Sequence, residues 1–352
     1  MRLGSAATIE KSTAVEIVRA CVAHLFSLLG ENGRFVYAHT HLAPDEVLSG
    51  YNLLRHCGTV WFMCKAIRSL AIQLDPREKE ALAAALGYIR AKTEEPPWIR
   101  GSTPTLCVTS KNVVKLGGVG LATLMIREYA QLGDQIDEVA LTGLYPEGLD
   151  EHCIRLENYI VSQLSDGDFI HKRALSTGDT YPFKSDYYTG EVLFALMQSS
   201  RHTPRIRTVM EQLLDGGYGL AQQSHWMAYA ACAALKVGYC DQAKTAAYIE
   251  RLIDSIDSDR SYRKRYESTP IACRTEALVE ILQTHRQGTY LSEHLPRAAV
   301  TAARTAAARN LSLQLEYYGQ GQFRKGRESD KVQIDYIQHN GAAFLGWWHL
   351  CD

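Results

Sequence analysis

Six short polar signatures recur along this chain, and each opens an apolar run with helical spacing. They are Tyr51-Asn52-Leu53-Leu54-Arg55-His56, Lys115-Leu116-Gly117-Gly118, Asp186-Tyr187-Tyr188-Thr189-Gly190-Glu191, Ser224-His225-Trp226, Arg274-Thr275-Glu276 and Asp335-Tyr336-Ile337-Gln338-His339. The stretches between them are amphipathic and of similar length. A chain built this way buries its apolar faces only by stacking one helical hairpin on the next. If alternate helices stand parallel, the six loaded N-termini meet on one rim. Unpaired N–H groups and the positive ends of the helix dipoles then favour a polar or anionic ligand there.

Apolar spacing of three and four predicts twelve helices. They run from Thr8 to Leu29, Tyr51 to Leu74, Arg77 to Lys92, Lys115 to Leu132, Leu149 to Leu164 and Tyr187 to Ser199. The second half adds Pro204 to Leu214, Gln223 to Val237, Cys240 to Ser255, Pro270 to His285, Leu291 to Glu316 and Ile334 to Leu350. Gly and Pro at their ends act as stops. Alternation is confined to short connecting patches at Phe35-Val36-Tyr37-Ala38 and Leu106-Cys107-Val108. No linker, charge block or low-complexity tract divides residues 1–352, so a single domain is expected.

Composition narrows the function classes. The formal charge of -1 gives no electrostatic reason to expect nucleic acid or an anionic membrane as partner. No apolar stretch reaches the roughly 18 residues of a membrane span. The nine Cys residues form no CxxC pair, and Cys21, Cys64 and Cys232 fall inside apolar helices. Reduced, buried thiols and a cytoplasmic location are the expectation. No Gly-rich phosphate loop follows a strand and no G-x-S-x-G elbow occurs, which disfavours nucleotide binding and α/β-hydrolase chemistry.

A second repeat supports the hairpin reading. A helix ends in a Gly-x-aromatic turn at Gly33-Arg34-Phe35, Gly167-Asp168-Phe169 and Gly321-Gln322-Phe323. The Gly supplies φ > 0 and the aromatic plugs the junction. This cadence of helix, turn, loop and helix resembles the α/α toroids: the six-hairpin glycosidases and polysaccharide lyases and, more distantly, the prenyltransferase and terpene-cyclase toroids. The resemblance implies an all-α (α/α)6 barrel of about twelve helices, six inner and six outer. It rests on period and turn type, so no catalytic residue is carried over. The cyclase signatures DxDD and DDxxD are absent, the nearest string being Asp257-Ser258-Asp259-Arg260.

The signatures supply the candidate site. Glu191, His56, Tyr188, Asp335 and His339 are the candidate catalytic groups, as acids, bases or proton donors. Tyr51, Asn52, Arg55, Lys115, Tyr187, His225, Trp226, Arg274, Glu276 and Gln338 are the candidate substrate-binding groups. Arg55 suits an anion, and His225-Trp226 suits a sugar face and its hydroxyl. Each has a bland alternative: Asp186 as an N-cap with Glu191 closing a capping box, Arg55 and Arg274 in structural ion pairs, His225 as a core histidine. Arg274 and Glu276 point to different faces, so at most one enters the cavity. Asp335, Gln338 and His339 share a face at i, i+3 and i+4, which permits an acid-base dyad. A metal is not expected, because no motif supplies a third ligand. His39 and His41 line a loop near the same rim. No cofactor is implied.

The expected function is acid-base chemistry on a polar, sugar-containing or carboxylate-bearing small molecule or oligosaccharide. A hydrolase would place two of Asp186, Glu191, Glu276 and Asp335 about the scissile bond. A lyase or epimerase would use a Tyr or His to remove a proton beside a carboxylate that Arg55 neutralises. Hydrolysis leads this pair by a small margin. A cyclase with an aromatic-lined cavity, and a scaffold whose signatures pair among themselves, are the alternatives.

Overall fold

Helices that are apolar on every side must be surrounded by others, and this chain alternates them with helices that carry one apolar stripe. The computed structural model describes residues 9–43, 46–199 and 203–351. In chain order its helices are α1 (Lys11–Ser27), α2 (Leu53–Ser69), α3 (Pro76–Arg90), α4 (Leu116–Tyr129), α5 (Glu138–Leu144), α6 (Leu149–Ser162) and α7 (Tyr188–Met197). Then follow α8 (Pro204–Asp215), α9 (His225–Lys236), α10 (Gln242–Ser258), α11 (Ser268–Arg286), α12 (Tyr290–His294), α13 (Arg297–Gln314) and α14 (Ile334–Trp348). All ten residues of α7 are buried, and so is all of α9 except Lys236. By contrast α8 buries only the stripe Ile206, Val209, Met210, Leu213 and Leu214.

The fully buried class forms a closed ring. Helix α2 packs on α4, α4 on α7, α7 on α9, α9 on α11, α11 on α14, and α14 back on α2. Helices α1, α3, α6, α8, α10 and α13 lie outside it. This is an all-α (α/α)6 toroid. The N-terminal residues of the inner helices share one mouth and their C-terminal residues share the other, so the inner helices run the same way. Rings of Trp61, Phe194, Trp226 and Tyr229 plug the bore between the two mouths, with Phe194 and Tyr229 stacked at 5.1 Å.

Short strands occupy the connections: β1 (Ala38–Thr40), β2 (Thr93–Glu94), β3 (Cys107–Ser110), β4 (Val113–Lys115), β5 (Leu164–Ser165), β6 (Asp168–Phe169), β7 (Lys172–Ala174), β8 (Tyr318–Gly319), β9 (Gln322–Gly326) and β10 (Ser329–Gln333). They form antiparallel sheets ordered β1-β10-β9-β8, β2-β3-β4-β7 and β5-β6. Strands β4 and β10 run directly into α4 and α14, and so anchor inner-helix N-termini at the rim.

The three Gly-x-aromatic turns form as expected. Gly33, Gly167 and Gly321 have φ of 73°, 81° and 79°, and Phe35, Phe169 and Phe323 are buried. At Gly33 a Cβ would overlap the backbone of Ala84, and at Gly321 that of Ala20, so these turns need both the left-handed backbone and the missing side chain. Two differences from the sequence reading have local causes. The run from Leu291 to Glu316 is broken into α12 and α13, because Pro296 forces Leu295 into an extended conformation. The short α5 forms where Asp137 caps Ala140 N–H at 3.0 Å. Most of the strands carry no alternating pattern and are set by pairing across connections. Thr8, the expected start of the first helix, lies outside the described residues. No helix among the described residues is long and apolar enough to cross a membrane, and no disulfide joins the cysteines.

Candidate active site

The rim formed by the inner-helix N-termini encloses a cavity of about 310 Å³. Helix α2 contributes its N-cap Asn52, Arg55 and Gly58, and α4 contributes Leu121. Tyr187, Tyr188 and Glu191 come from the start of α7, His225 and Trp226 from α9, Thr269 and Cys273 from α11, and Asp335, Gln338 and His339 from α14. Five of the six signatures therefore send at least one residue to this void or directly behind it.

Two charge pairs organise the wall. Arg55 Nε–H donates to Asp335 Oδ2 at 2.5 Å, and Gln333 Nε2–H holds the other carboxylate oxygen at 2.5 Å. His339 Nδ1–H donates to Glu276 Oε1 at 2.7 Å, while Tyr229 O–H donates to Glu276 Oε2 at 2.9 Å. Burial alone would push the His339 imidazole down. Its neighbours Cys273 and Glu276 outweigh burial and hold it well above the ordinary histidine value.

Glu191 behaves in the opposite sense. Burial pushes its carboxyl up to about 8, against the pull of His339 and Arg55. It is thus a neutral acid at pH 7. Its Oε2 has no hydrogen-bond partner, and neither ring nitrogen of His225 has one, nor does Thr269 Oγ1. Space for these groups is made by glycines: a methyl on Gly117 would overlap Glu191 Oε2, and one on Gly58 would stand 2.7 Å from Gln338 Oε1.

Several candidate residues lie elsewhere. His56 is fully buried in the core; Tyr51 O–H donates to its Nδ1 at 2.7 Å and its Nε2–H donates to Ala85 O at 3.0 Å. Phe35 N–H in turn donates to the Tyr51 hydroxyl oxygen at 3.2 Å, so the Tyr51–His56 pair is saturated and outside the cavity. Burial lowers His56 to about 4, which keeps it neutral. Lys115 is exposed at the end of β4, opposite Lys172 of β7. Arg274 donates to Gln223 Oε1, Gln222 O and Pro270 O, tying the loop before α9 to α11, and makes no pair with Glu276. Glu276 itself is one bond behind the cavity wall. Asp186 neither caps α7 nor enters the cavity; Tyr187 occupies the N-cap position. His39 is buried in β1, and His41 reaches Gln322 at 3.4 Å.

The i, i+3, i+4 face of α14 reaches the cavity as drawn from the sequence, but its dyad does not. His339 takes its carboxylate from Glu276, 63 residues away, and Asp335 goes to Arg55. Cys273 and Thr269 were missed. The spacing Cys273-x-x-Glu276 put both on one side of α11 and was the available signal for Cys273. The missing third ligand for a metal is also supplied across the ring: donor atoms of His225, Cys273, Glu276 and His339 lie within 4.8 Å of one another.

A larger depression, about 590 Å³, lies at the opposite mouth. Three of its basic residues, at inner-helix C-termini, are paired: Arg68 with Glu128, Arg127 with Glu157, Lys236 with Glu280. It holds none of the unpartnered groups seen at the rim, and the chemistry is assigned to the smaller cavity.

No family model and no curated protein matches the sequence. Solved structures match it along nearly its whole length. D-mannose isomerase superposes with a TM-score of 0.63 at 10% identity, over 98% of this chain and 100% of that one. Cellobiose 2-epimerase from Bacillus thermoamylovorans gives 0.62 at 10% identity over 96% and 99%. A GH76 α-mannanase from Bacteroides thetaiotaomicron gives 0.58 at 8% identity over 97% and 96%. The chain thus shares the α/α toroid fold of these carbohydrate-active enzymes.

Proposed function

We propose that this chain is a carbohydrate-active enzyme that transfers a proton at the carbon beside a sugar carbonyl, as an isomerase or epimerase does. The observation that carries the reading is the set of buried polar atoms left without partners around one cavity, on Glu191, His225 and Thr269, next to a histidine held by a buried carboxylate. Such atoms are costly unless a ligand meets them. In this reading Nε2 of His339 exchanges the proton, Glu276 is its positioning residue, and the neutral carboxyl of Glu191 donates a hydrogen bond or proton to the substrate oxygen. Arg55, positioned by Asp335, stabilises the enediolate-like charge. Tyr187, Tyr188 and Trp226 offer faces for the sugar ring.

The cavity is at the small end of the roughly 300–1,000 Å³ usual for small-molecule sites, which favours a mono- or disaccharide over a long polymer. Glycoside hydrolysis needs two available carboxyls. Asp335 is engaged by Arg55 and Gln333, and Glu276 by His339 and Tyr229, which leaves Glu191 alone. The polar wall disfavours a cyclase, and the open void disfavours a scaffold. The fold likeness to sugar isomerases and epimerases supports the reading by analogy. The test is product analysis after incubation with aldoses, ketoses and reducing disaccharides. Isomeric sugars with no gain in reducing ends are expected; cleavage of a disaccharide overturns the reading in favour of hydrolysis.

A further inference from the structure

We propose that the floor of this cavity is a binding site for a late first-row transition-metal ion, held by His225, Cys273 and His339. These residues come from three different inner helices, α9, α11 and α14, and their donor atoms converge within 4.8 Å. Edges of a tetrahedral site with ligands at about 2.0–2.3 Å are roughly 3.5 Å long, so modest side-chain rotations complete it. His225 is the independent pointer. It is 2% exposed, it lines the cavity, and neither of its ring nitrogens meets a partner. Its ring stands 5.1 Å from that of His339 at 89°, an arrangement without a hydrogen bond between them.

Glu276 is not needed as a ligand. Both its oxygens are occupied, and its bond to Nδ1 leaves Nε2 as the nitrogen of His339 that a ligand can reach. This is the outer-shell carboxylate that commonly orients a metal-bound histidine. Two imidazoles and a thiolate select Zn²⁺, Co²⁺ or Ni²⁺ over Mg²⁺ or Ca²⁺. Cys273 binds as the thiolate and His339 as the neutral imidazole, and each gives up a proton to solvent. Three protein donors leave a fourth position facing the cavity. An ion there takes the lone pair that His339 would use in proton transfer, so the two uses exclude each other. The metal site itself depends on no substrate.

The test is Co²⁺ titration of the chelator-stripped protein followed by absorption. Expected is one equivalent bound, with a thiolate-to-cobalt charge-transfer band and four-coordinate visible bands, both displaced by Zn²⁺. Cys273→Ser should lose the charge-transfer band. His225→Gln should weaken Co²⁺ at least tenfold, and Glu276→Gln by about 10- to 100-fold. Circular dichroism identifies any variant that fails to fold, and Cys273→Ala and His225→Asn stand in for it. Wild-type protein without the band, or a band that survives unchanged in a folded Cys273 variant, overturns the proposal whether or not the protein acts on sugars.

Discussion

Glu276 on α11 holds His339 on α14 through a 2.7 Å hydrogen bond, although the two are 63 residues apart and Glu276 is wholly buried. That bond fixes which ring nitrogen faces the cavity. Glu276→Gln keeps the volume and removes the charge. In the proton-transfer assay kcat should fall by about 10²-fold, within the span that general acid-base groups supply, while KM holds. A fall in affinity with kcat unchanged would assign Glu276 to substrate binding instead.

The elevated carboxyl of Glu191 makes a stability prediction. Its folded value is about 8, above the ordinary 4.5. The folded state therefore holds the extra proton, and this stabilisation is complete below about pH 4.5 and lost as pH rises through 8. At about 1.4 kcal/mol per unit the loss is on the order of 5 kcal/mol. Glu191→Gln should match wild type in urea unfolding near pH 5 and exceed it by a few kcal/mol near pH 9. A constant difference across that range contradicts the buried, neutral carboxyl.

His56 gives the reverse dependence. Its folded value of about 4 lies below the ordinary 6.5, so stability present above pH 6.5 is lost as pH falls through 4. The loss from this group is about 3 kcal/mol at ~1.4 kcal/mol per unit. His56→Gln removes the titration along with the link between Tyr51 and Ala85. It should be less stable than wild type at pH 7 by about 1–3 kcal/mol, and the gap should close at pH 4.5. Urea midpoints at the two pH values measure this.

Gly117 sets the room available to Glu191. Its missing Cβ is filled by Glu191 Oε2 and the Tyr188 ring. Gly117→Ala should destabilise the protein by about 1–3 kcal/mol and displace Glu191 into the cavity. A crystal structure of the variant with Glu191 unmoved would contradict that packing.

How much of this was legible in the sequence depended on what kind of information each feature carries. Periodicity and stop residues located the helices, and five of the six loaded N-termini send residues to one rim or directly behind it. The azimuth of each helix within the ring was not legible. Arg55 and His56 are adjacent, yet a rotation of about 100° per residue sends one to the cavity and the other to Ala85 of α3. The same limit hid the partner of His339: Asp335 lies one turn away on the same helix, but the bond goes across the ring to Glu276. Lys115 sat at the right end of an inner helix, and pairing of β4 with β7 carried it out to solvent. Cys273 looked like one more buried thiol, because only the neighbouring helices show that its burial is in a site.

The most direct test of the central claim is hydrogen–deuterium exchange at carbon 2 of candidate aldoses in D₂O, followed by proton NMR for wild type and His339→Asn side by side. Wild type should lose the carbon-2 proton signal, and the variant should lose it at least 10²-fold more slowly at unchanged circular dichroism. Equal exchange rates in the two proteins would contradict that claim.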